Sequence, residues 1–272
     1  MEQTVIRPGR QSIVGVISEL WTYRELLAFL VWRDVSVRYK QTVLGIAWAI
    51  LQPLAMMAVF TLLFRRMGGL PSDGQPYPLF VLAGLVPWTF FATGLSQASN
   101  SLVASQALIT KVYFPRIIVP VAAVLAGLVD LAFASILLFA FMFFYGVMPH
   151  MAVLLMPVFI VNAILACLGV GLWSAALNVK YRDIRYVVPF ALQLWMLGSP
   201  IAYSTKLLPS PWSQAMALNP MAGPIEGFRW SVGAGSFLSM ELVALCWVLS
   251  LALLFSGLWY FRRVERSFAD VI

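Results

Sequence analysis

Residues 131–179 read LAFASILLFAFMFFYGVMPHMAVLLMPVFIVNAILACLGVGLWSAALNV, without a single Asp, Glu, Lys or Arg in 49 positions. A bilayer core about 30 Å thick is crossed by about 20 apolar residues in a helix, so this stretch is long enough to cross twice. At its middle, Tyr145-Gly-Val-Met-Pro-His150 supplies the Gly and Pro of a turn between two spans. The rest of the chain agrees with an all-α integral membrane protein. Of 272 residues, 61% are hydrophobic and 11% charged, and the mean hydropathy is +0.88. Soluble domains are charged at about a quarter of their residues, which disfavours both a soluble enzyme and a disordered chain.

Outward from this pair, the apolar runs give six predicted transmembrane helices, at 43–64, 79–102, 117–145, 151–178, 187–203 and 241–261. The first apolar run of all, 26–32, has seven residues between Glu25 and Arg33, too few for a span, and no secretory signal is read there. With charges interleaved, 20–40 reads as an amphipathic helix on the membrane surface. The expected organisation is a cytoplasmic N-terminus over 1–42, a six-span domain over 43–261 and a cytoplasmic tail over 262–272. Lys and Arg number 14 on the side of the termini and 4 on the other, Arg65, Arg66, Lys206 and Arg229. Positive residues stay cytoplasmic, so both termini are expected inside. The longest connection, 204–240, mixes four prolines with Trp212, Phe228 and Trp230 and is too apolar for a solvated linker. Non-helical backbone enters a membrane only where protein or water satisfies it, so broken, re-entrant helices are expected there.

What the chain lacks narrows its chemistry. There is no Gly-Lys dipeptide, hence no phosphate-cradling loop of its own. If ATP drives it, the ATPase is another polypeptide. No zinc-binding His-Glu-x-x-His and no serine elbow is present, and the single histidine, His150, falls in a short turn. No catalytic residue, metal or cofactor is expected in this chain. Cys167 and Cys246 stand far apart in apolar runs and read as small core residues. The net charge of +7 forms no basic face, so nucleic acid is not a partner.

Among charges, Asp130 sits near the middle of the third span, where an unpaired carboxylate is costly. It reads either as a polar contact in a translocation path or as a hydrogen bond to a neighbouring helix. Trp48, Trp88, Trp173 and Trp195 fall inside their spans, where rings either pack or line a path for sugars, whose C–H faces stack on aromatics. Between the second and third spans, Ser105 to Arg116 places Leu108, Ile109, Val112, Tyr113 and Phe114 beside Lys111 and Arg116. This is either a helix for a partner's groove or an anchored turn.

Trp32-Arg-Asp-Val-Ser-Val-Arg-Tyr-Lys-Gln-Thr-Val-Leu-Gly-Ile-Ala-Trp48, continuing to Leu51-Gln-Pro-Leu54, resembles the N-terminal signature of the type-2 ATP-binding-cassette (ABC) permeases that export bacterial polysaccharides. Leu108-Ile-Thr-Lys-Val-Tyr-Phe-Pro-Arg116, Asn178-Val-Lys-Tyr-Arg-Asp183, Gly198-Ser-Pro-Ile-Ala-Tyr203 and Leu218-Asn-Pro-Met-Ala-Gly-Pro-Ile-Glu-Gly-Phe-Arg-Trp230 resemble the same family in order along nearly the whole chain. The likeness is greatest to O-antigen exporters, with teichoic acid and capsule exporters close behind.

The resemblance implies a homodimer in the bacterial inner membrane, driven by two copies of a separate ATPase that binds ATP and Mg. Its cargo would be a polysaccharide on a polyprenyl-diphosphate carrier in the membrane lipid. Leu108 to Arg116 would couple to the ATPase, and Arg33, Arg38 and Lys40 would meet headgroups or the diphosphate. Asp130, Tyr203 and the four tryptophans would line the path, and the outer gate would hold Trp212, Glu226, Phe228, Arg229 and Trp230. A drug or lipid exporter of the same fold, a non-transporting scaffold for a glycan synthase and a proton-coupled carrier resting on Asp130 are the competing readings.

Overall fold

The computed structural model describes residues 13–40, 45–69, 71–149, 151–209, 211–235, 240–265 and 268. Arg7, Arg10, His150, Arg266 and the expected boundary at 42 lie outside the described residues. In hydrocarbon each backbone N–H and C=O must be paired within the chain, and apolar runs answer with helices. α1 (Ile13–Thr22) and α2 (Arg24–Lys40) precede α3 (Gly45–Phe60), whose last turns widen into a π-helix at Thr61–Met67. Then come α4 (Tyr77–Ala104), α5 (Gln106–Lys111), α6 (Ile118–Phe144) and α7 (Met156–Lys180), the last entered through a 3₁₀ turn at Met151–Leu155. α8 (Ile184–Leu197), α9 (Trp212–Ala215), α10 (Ala222–Ser231) and α11 (Met240–Val264) complete the order.

Among the described residues five stretches are long and apolar enough to cross a membrane: Ala47–Arg65, Tyr77–Ala104, Ile118–Phe144, Met151–Lys180 and Met240–Val264. The remaining predicted span differs from its expected extent. α8 has 14 residues, about 21 Å at 1.5 Å per residue, and stops at Gly198 rather than running to Tyr203. The cause is local: Pro200 has no N–H to continue the ladder and disfavours helical backbone in the residue before it, so the helix closes at Gly198.

α4 is the central post. In its most apolar window 78% of residues are buried inside the chain, against 11% for the Ala47–Arg65 stretch and 22% for α11. It packs on α3, α6, α7, α8 and α10. One apolar core gathers Phe80, Phe90, Phe91, Leu138, Phe159 and Phe228, and a second surrounds the C-terminal end of α4 with Leu102, Phe114, Leu172 and Phe261. Leu30 of α2 joins the second core, with Leu26, Leu27 and Val31 beside it, while Phe29, Trp32 and Val37 are exposed. The expected division of α2 into one apolar and one charged face is therefore not what forms. Its apolar residues take two faces, one against the chain and one outward.

Of the 204–240 connection, the described residues 204–209 and 211–235 fold as short helices rather than as a solvated loop. α10 is buried from Ala222 to Arg229 and packs on α4, α7 and α11. Cys167 and Cys246 are both buried thiols.

α7 and α11 meet backbone to backbone. A Cβ on Gly169 would stand 2.7 Å from Leu253 C and Leu254 N, and one on Gly257 would stand 2.5 Å from Gly169 O. Only glycine allows this approach, which replaces the missing hydrophobic drive between helices in lipid with close packing. Gly169→Ala should cost about 1–3 kcal/mol by overpacking and lower the unfolding temperature in detergent. Gly198→Ala, with no atom nearer than 3.7 Å to its Cβ, should leave that temperature unchanged. Equal transitions for the two variants would refute the contact.

Candidate functional site

Asp130 is the thirteenth of the 27 residues of α6 and does not stand alone. One carboxylate oxygen accepts from the Arg38 guanidinium and the other from the Tyr39 hydroxyl, both in the last turn of α2. The second terminal nitrogen of Arg38 donates to Gln97 Oε1 of α4 at 2.6 Å, and the Tyr39 ring meets Phe133 edge-on at 6.0 Å. Helix α2 is thus tied to α4 and α6 by charge-assisted bonds at a site where desolvation strengthens them. Of the two readings of Asp130, a path contact or a hydrogen bond to a neighbouring helix, the second describes what forms within the chain, and its partner is Arg38, expected at the headgroup layer. Arg33 pairs with its neighbour Asp34 at 2.8 Å, and Lys40 is exposed at the end of α2.

Two of the tryptophans meet on one ring, Phe91, and the other two make separate contacts. Trp88 is buried with its ring 5.6 Å from Phe91, and Trp195 meets Phe91 edge-on at 5.1 Å. Trp195 Nε1 donates to Asn219 Oδ1 at 3.0 Å. Trp173 stacks on Tyr260 at 4.0 Å and donates to Ser256 Oγ at 3.1 Å, joining α7 to α11. Trp48 presents its ring outward from α3, and Tyr203 is half-buried beyond α8. Within one chain these rings do not converge on a common channel.

The broken backbone after α8 explains the two charges of α10. Carbonyls at 200–202 have no helical partner, and a buried unpaired carbonyl costs about 1–3 kcal/mol. Arg229 Nη2 donates to Pro200 O at 2.7 Å and Ile201 O at 2.9 Å, while its Nε donates to Phe80 O of α4 at 3.1 Å. The guanidinium lies 3.8 Å from the Phe80 ring centre, and Gly84 leaves room for it: a Cβ there would fall 2.5 Å from Nη2. The Tyr77 hydroxyl donates to Ala202 O at 2.8 Å. Glu226 accepts from the Thr205 N–H and from the Thr205 hydroxyl, each at 2.7 Å. Phe228 is fully buried beside them, Trp230 is half-buried and Trp212 is exposed. Glu226 and Arg229 therefore fasten irregular chain.

The segment after α4 divides cleanly. Ile109 and Phe114 are buried in the second core, with Leu108 half-buried above it. Arg116 is held by the end of the chain's last helix, its N–H donating to Glu265 Oε1 at 3.2 Å and its guanidinium to Glu265 O at 2.6 Å. Lys111, Val112 and Tyr113 project, Tyr113 with 77% of its surface exposed. Among the described residues no group of His, Cys, Asp and Glu gathers to hold a metal.

The family model described as ABC-2 type transporter matches residues 25–232. The chain belongs to that family. The matched part of this ABC-2 permease opens in α2 and closes one residue beyond α10, so it contains the Arg38–Asp130 tie, the segment after α4 and the Arg229 fasteners. An O-antigen export system permease protein, RfbA, of Myxococcus xanthus is 29% identical over 262 residues, covering 96% of this chain and 100% of that protein. RfbA of Klebsiella pneumoniae is 26% identical over 91% of this chain and 95% of its own length. The polysialic acid transport protein KpsM of Escherichia coli is 23% identical over 86% and 92% respectively. The ABC-2 membership makes this chain a multi-pass membrane transport protein and not itself a catalyst.

Sequence reading had given no role to Tyr77, Gln97, Thr205, Asn219 or Glu265. Asn219 carries a local signal, since Asn before Pro favours a turn; its side-chain oxygen also accepts the Met221 N–H at 3.0 Å. Gln97 and Glu265 join partners far away in sequence and leave no such mark. In this ABC-2 permease, Arg38→Met and Asp130→Leu should each destabilise the detergent-solubilised protein, and the double variant should recover part of the loss. A coupling of about 1–2 kcal/mol is expected, between exposed and fully buried pairs, since each side chain keeps about a fifth of its surface. Strict additivity in thermal unfolding would show that the pair contributes nothing.

Proposed function

We propose that the chain is the permease of an ATP-driven exporter that moves a lipid-linked polysaccharide of O-antigen type across the bacterial inner membrane. The observation that carries this reading is the family match, joined to likeness along 91–96% of the chain to permeases named for O-antigen export. The permease works as a homodimer of six-span subunits. In each, α8 and the broken stretch after it form the fifth span, α9 and α10 dip in from the outer side as gate elements, and both termini are cytoplasmic. Support for a second copy comes from α3, where Trp48, Leu51, Val59, Leu62 and Leu63 leave the chain exposed.

Two copies of a separate ATPase bind ATP and Mg and dock on the Val112–Tyr113 tip. Ile109, Phe114 and Arg116 hold that tip to the bundle, so a push on Tyr113 shifts a packed unit between two discrete arrangements. At the inner headgroup layer, Arg33 and Lys40 attract the diphosphate of the polyprenyl carrier. The path between the subunits accepts a polymer by packing sugar faces on apolar and aromatic walls.

Deleting the gene should leave glycan on its lipid carrier at the inner leaflet with none at the cell surface. Normal surface glycan in the deletion strain would remove the export reading. For the coupling segment, Tyr113→Ala should keep the unfolding temperature while losing most stimulation of the co-purified ATPase. Phe114→Ala should instead destabilise the permease by about 3 kcal/mol through the vacated core site. Full ATPase stimulation in Tyr113→Ala would place docking elsewhere.

A further inference from the structure

A cleft of about 390 Å³ opens where α4, α5, α7 and the turn into α8 come together, and it belongs neither to the Asp130 tie nor to the Tyr113 tip. Arg182, Arg185 and Gln106 of α5 line it with exposed side chains, and the less exposed Asn100 and Asn178 form its floor. The floor is rigid: Asn178 Nδ2 donates to Ser99 O at 2.9 Å and to Asn100 Oδ1 at 3.2 Å, and Asn100 Nδ2 donates to Ser96 O at 2.8 Å. Both arginines are exposed, and neither meets a carboxylate among the described residues. Asp183 lies between them in sequence but does not line the cleft. The Arg185 guanidinium rests 4.7 Å from the Tyr186 ring centre, which steadies its fork.

Two guanidinium forks over an amide floor match the planar, bidentate demands of phosphoryl oxygens. A free anion alone would not account for what adjoins the cleft. Beyond it on α8, Val187, Phe190, Leu194 and Leu197 are exposed in an apolar strip about half a turn round the helix from Arg185, with the exposed Tyr186 ring between. A basic cleft next to a helix with an exposed apolar face suits an amphiphile.

We propose that this cleft binds the phosphoryl head group of an anionic lipid, whose tail lies along the exposed face of α8. The proposal rests on the export reading for its orientation, since it sets the cleft at the inner headgroup layer beside the ATPase-facing segment. Gln106 makes the connection: it lines the cleft and is the first residue of α5, so an occupied cleft bears directly on the element that meets the ATPase.

The test uses the full chain purified in detergent, with farnesyl diphosphate as probe, phosphatidylglycerol as a second phosphoryl amphiphile and farnesol as the neutral control, followed by native mass spectrometry and titration. Arg182→Gln with Arg185→Gln should weaken farnesyl diphosphate at least about tenfold, the loss of one charge-assisted bond, and leave farnesol unchanged. The Lys/Lys pair should restore part of the affinity, and the unfolding temperature should not move. Loss confined to farnesyl diphosphate assigns the cleft to a diphosphate carrier; parallel loss of phosphatidylglycerol assigns it to phosphoryl heads generally. Unaltered binding of both in the Gln/Gln variant overturns the proposal. So does unaltered binding together with loss of ATPase co-purification, which assigns the arginines to an acidic groove of the ATPase. Because binding is read on purified protein, a deletion strain with normal surface glycan would refute export without touching this result.

Discussion

Hydrocarbon offers no partner to an unpaired polar group, and that single constraint decides which parts of this permease must touch. A carboxylate halfway along α6 requires a cation, and Arg38 answers by bringing the end of α2 against α4 and α6. A chain that leaves its helix at Gly198 exposes carbonyls, and Arg229 answers by anchoring α10 between them and α4. In both places the charge is the means by which an otherwise featureless apolar surface acquires one register. Apolar packing alone would let such helices slide, because lipid tails solvate leucine as well as a neighbouring helix does.

These ties share an element. Gln97, Phe80, Tyr77, Ser99 and Phe91 of α4 each meet a partner from α2, α10, the broken stretch after α8, α7 or α7 again. A helix so fixed is the stationary reference for any movement. The elements left with few ties are α3, most of whose surface faces away from the chain, and α8, of which only Val188 and Leu192 are buried. Elements that move in a transport cycle are drawn from such weakly held parts, and both carry continuous outward apolar faces that can slide against lipid or a second copy.

How far the sequence went follows from the range of each interaction. Apolar runs are local, so five predicted spans agree with the helices to within a few residues. Hydropathy continues through Ile201 and Ala202 and so overruns the end of α8, because the backbone effect of Pro200 does not appear on that scale. In the described part of 204–240 the chain is broken into short helices, as prolines among large apolar residues lead one to expect. Residue roles fared differently. Glu226 and Arg229 were singled out, but their carbonyl and N–H partners belong to backbone, which has no signature in composition. Arg38 and Asp130 were each noticed and not joined, because 92 residues separate them. Phe114 and Tyr113 are adjacent and equally aromatic; only the fold turns one into the core and the other out.

That last division bears on how force would pass through the molecule. Ile109 and Phe114 share one apolar cluster with Leu30 of α2, Leu102 of α4 and Phe261 of α11, and Arg116 adds a polar bond to Glu265 beyond α11. Densely packed interiors resist compression, so a displacement at the exposed tip is delivered to three helices at once and not absorbed by the turn. Of the three, α4 is fixed along its length and α11 rides on α7 through glycine contacts. α2 is held by the cluster at Leu30 and by Asp130 eight residues later. Under the proposed coupling, a push at the tip would load α2 between these two anchors, and the Arg38–Asp130 pair would carry that load to the middle of α6. There Asp130 accepts from both Arg38 and Tyr39 while Arg38 also donates to Gln97, and a directional cluster of this kind, made or broken, would let a packed bundle switch and not merely flex.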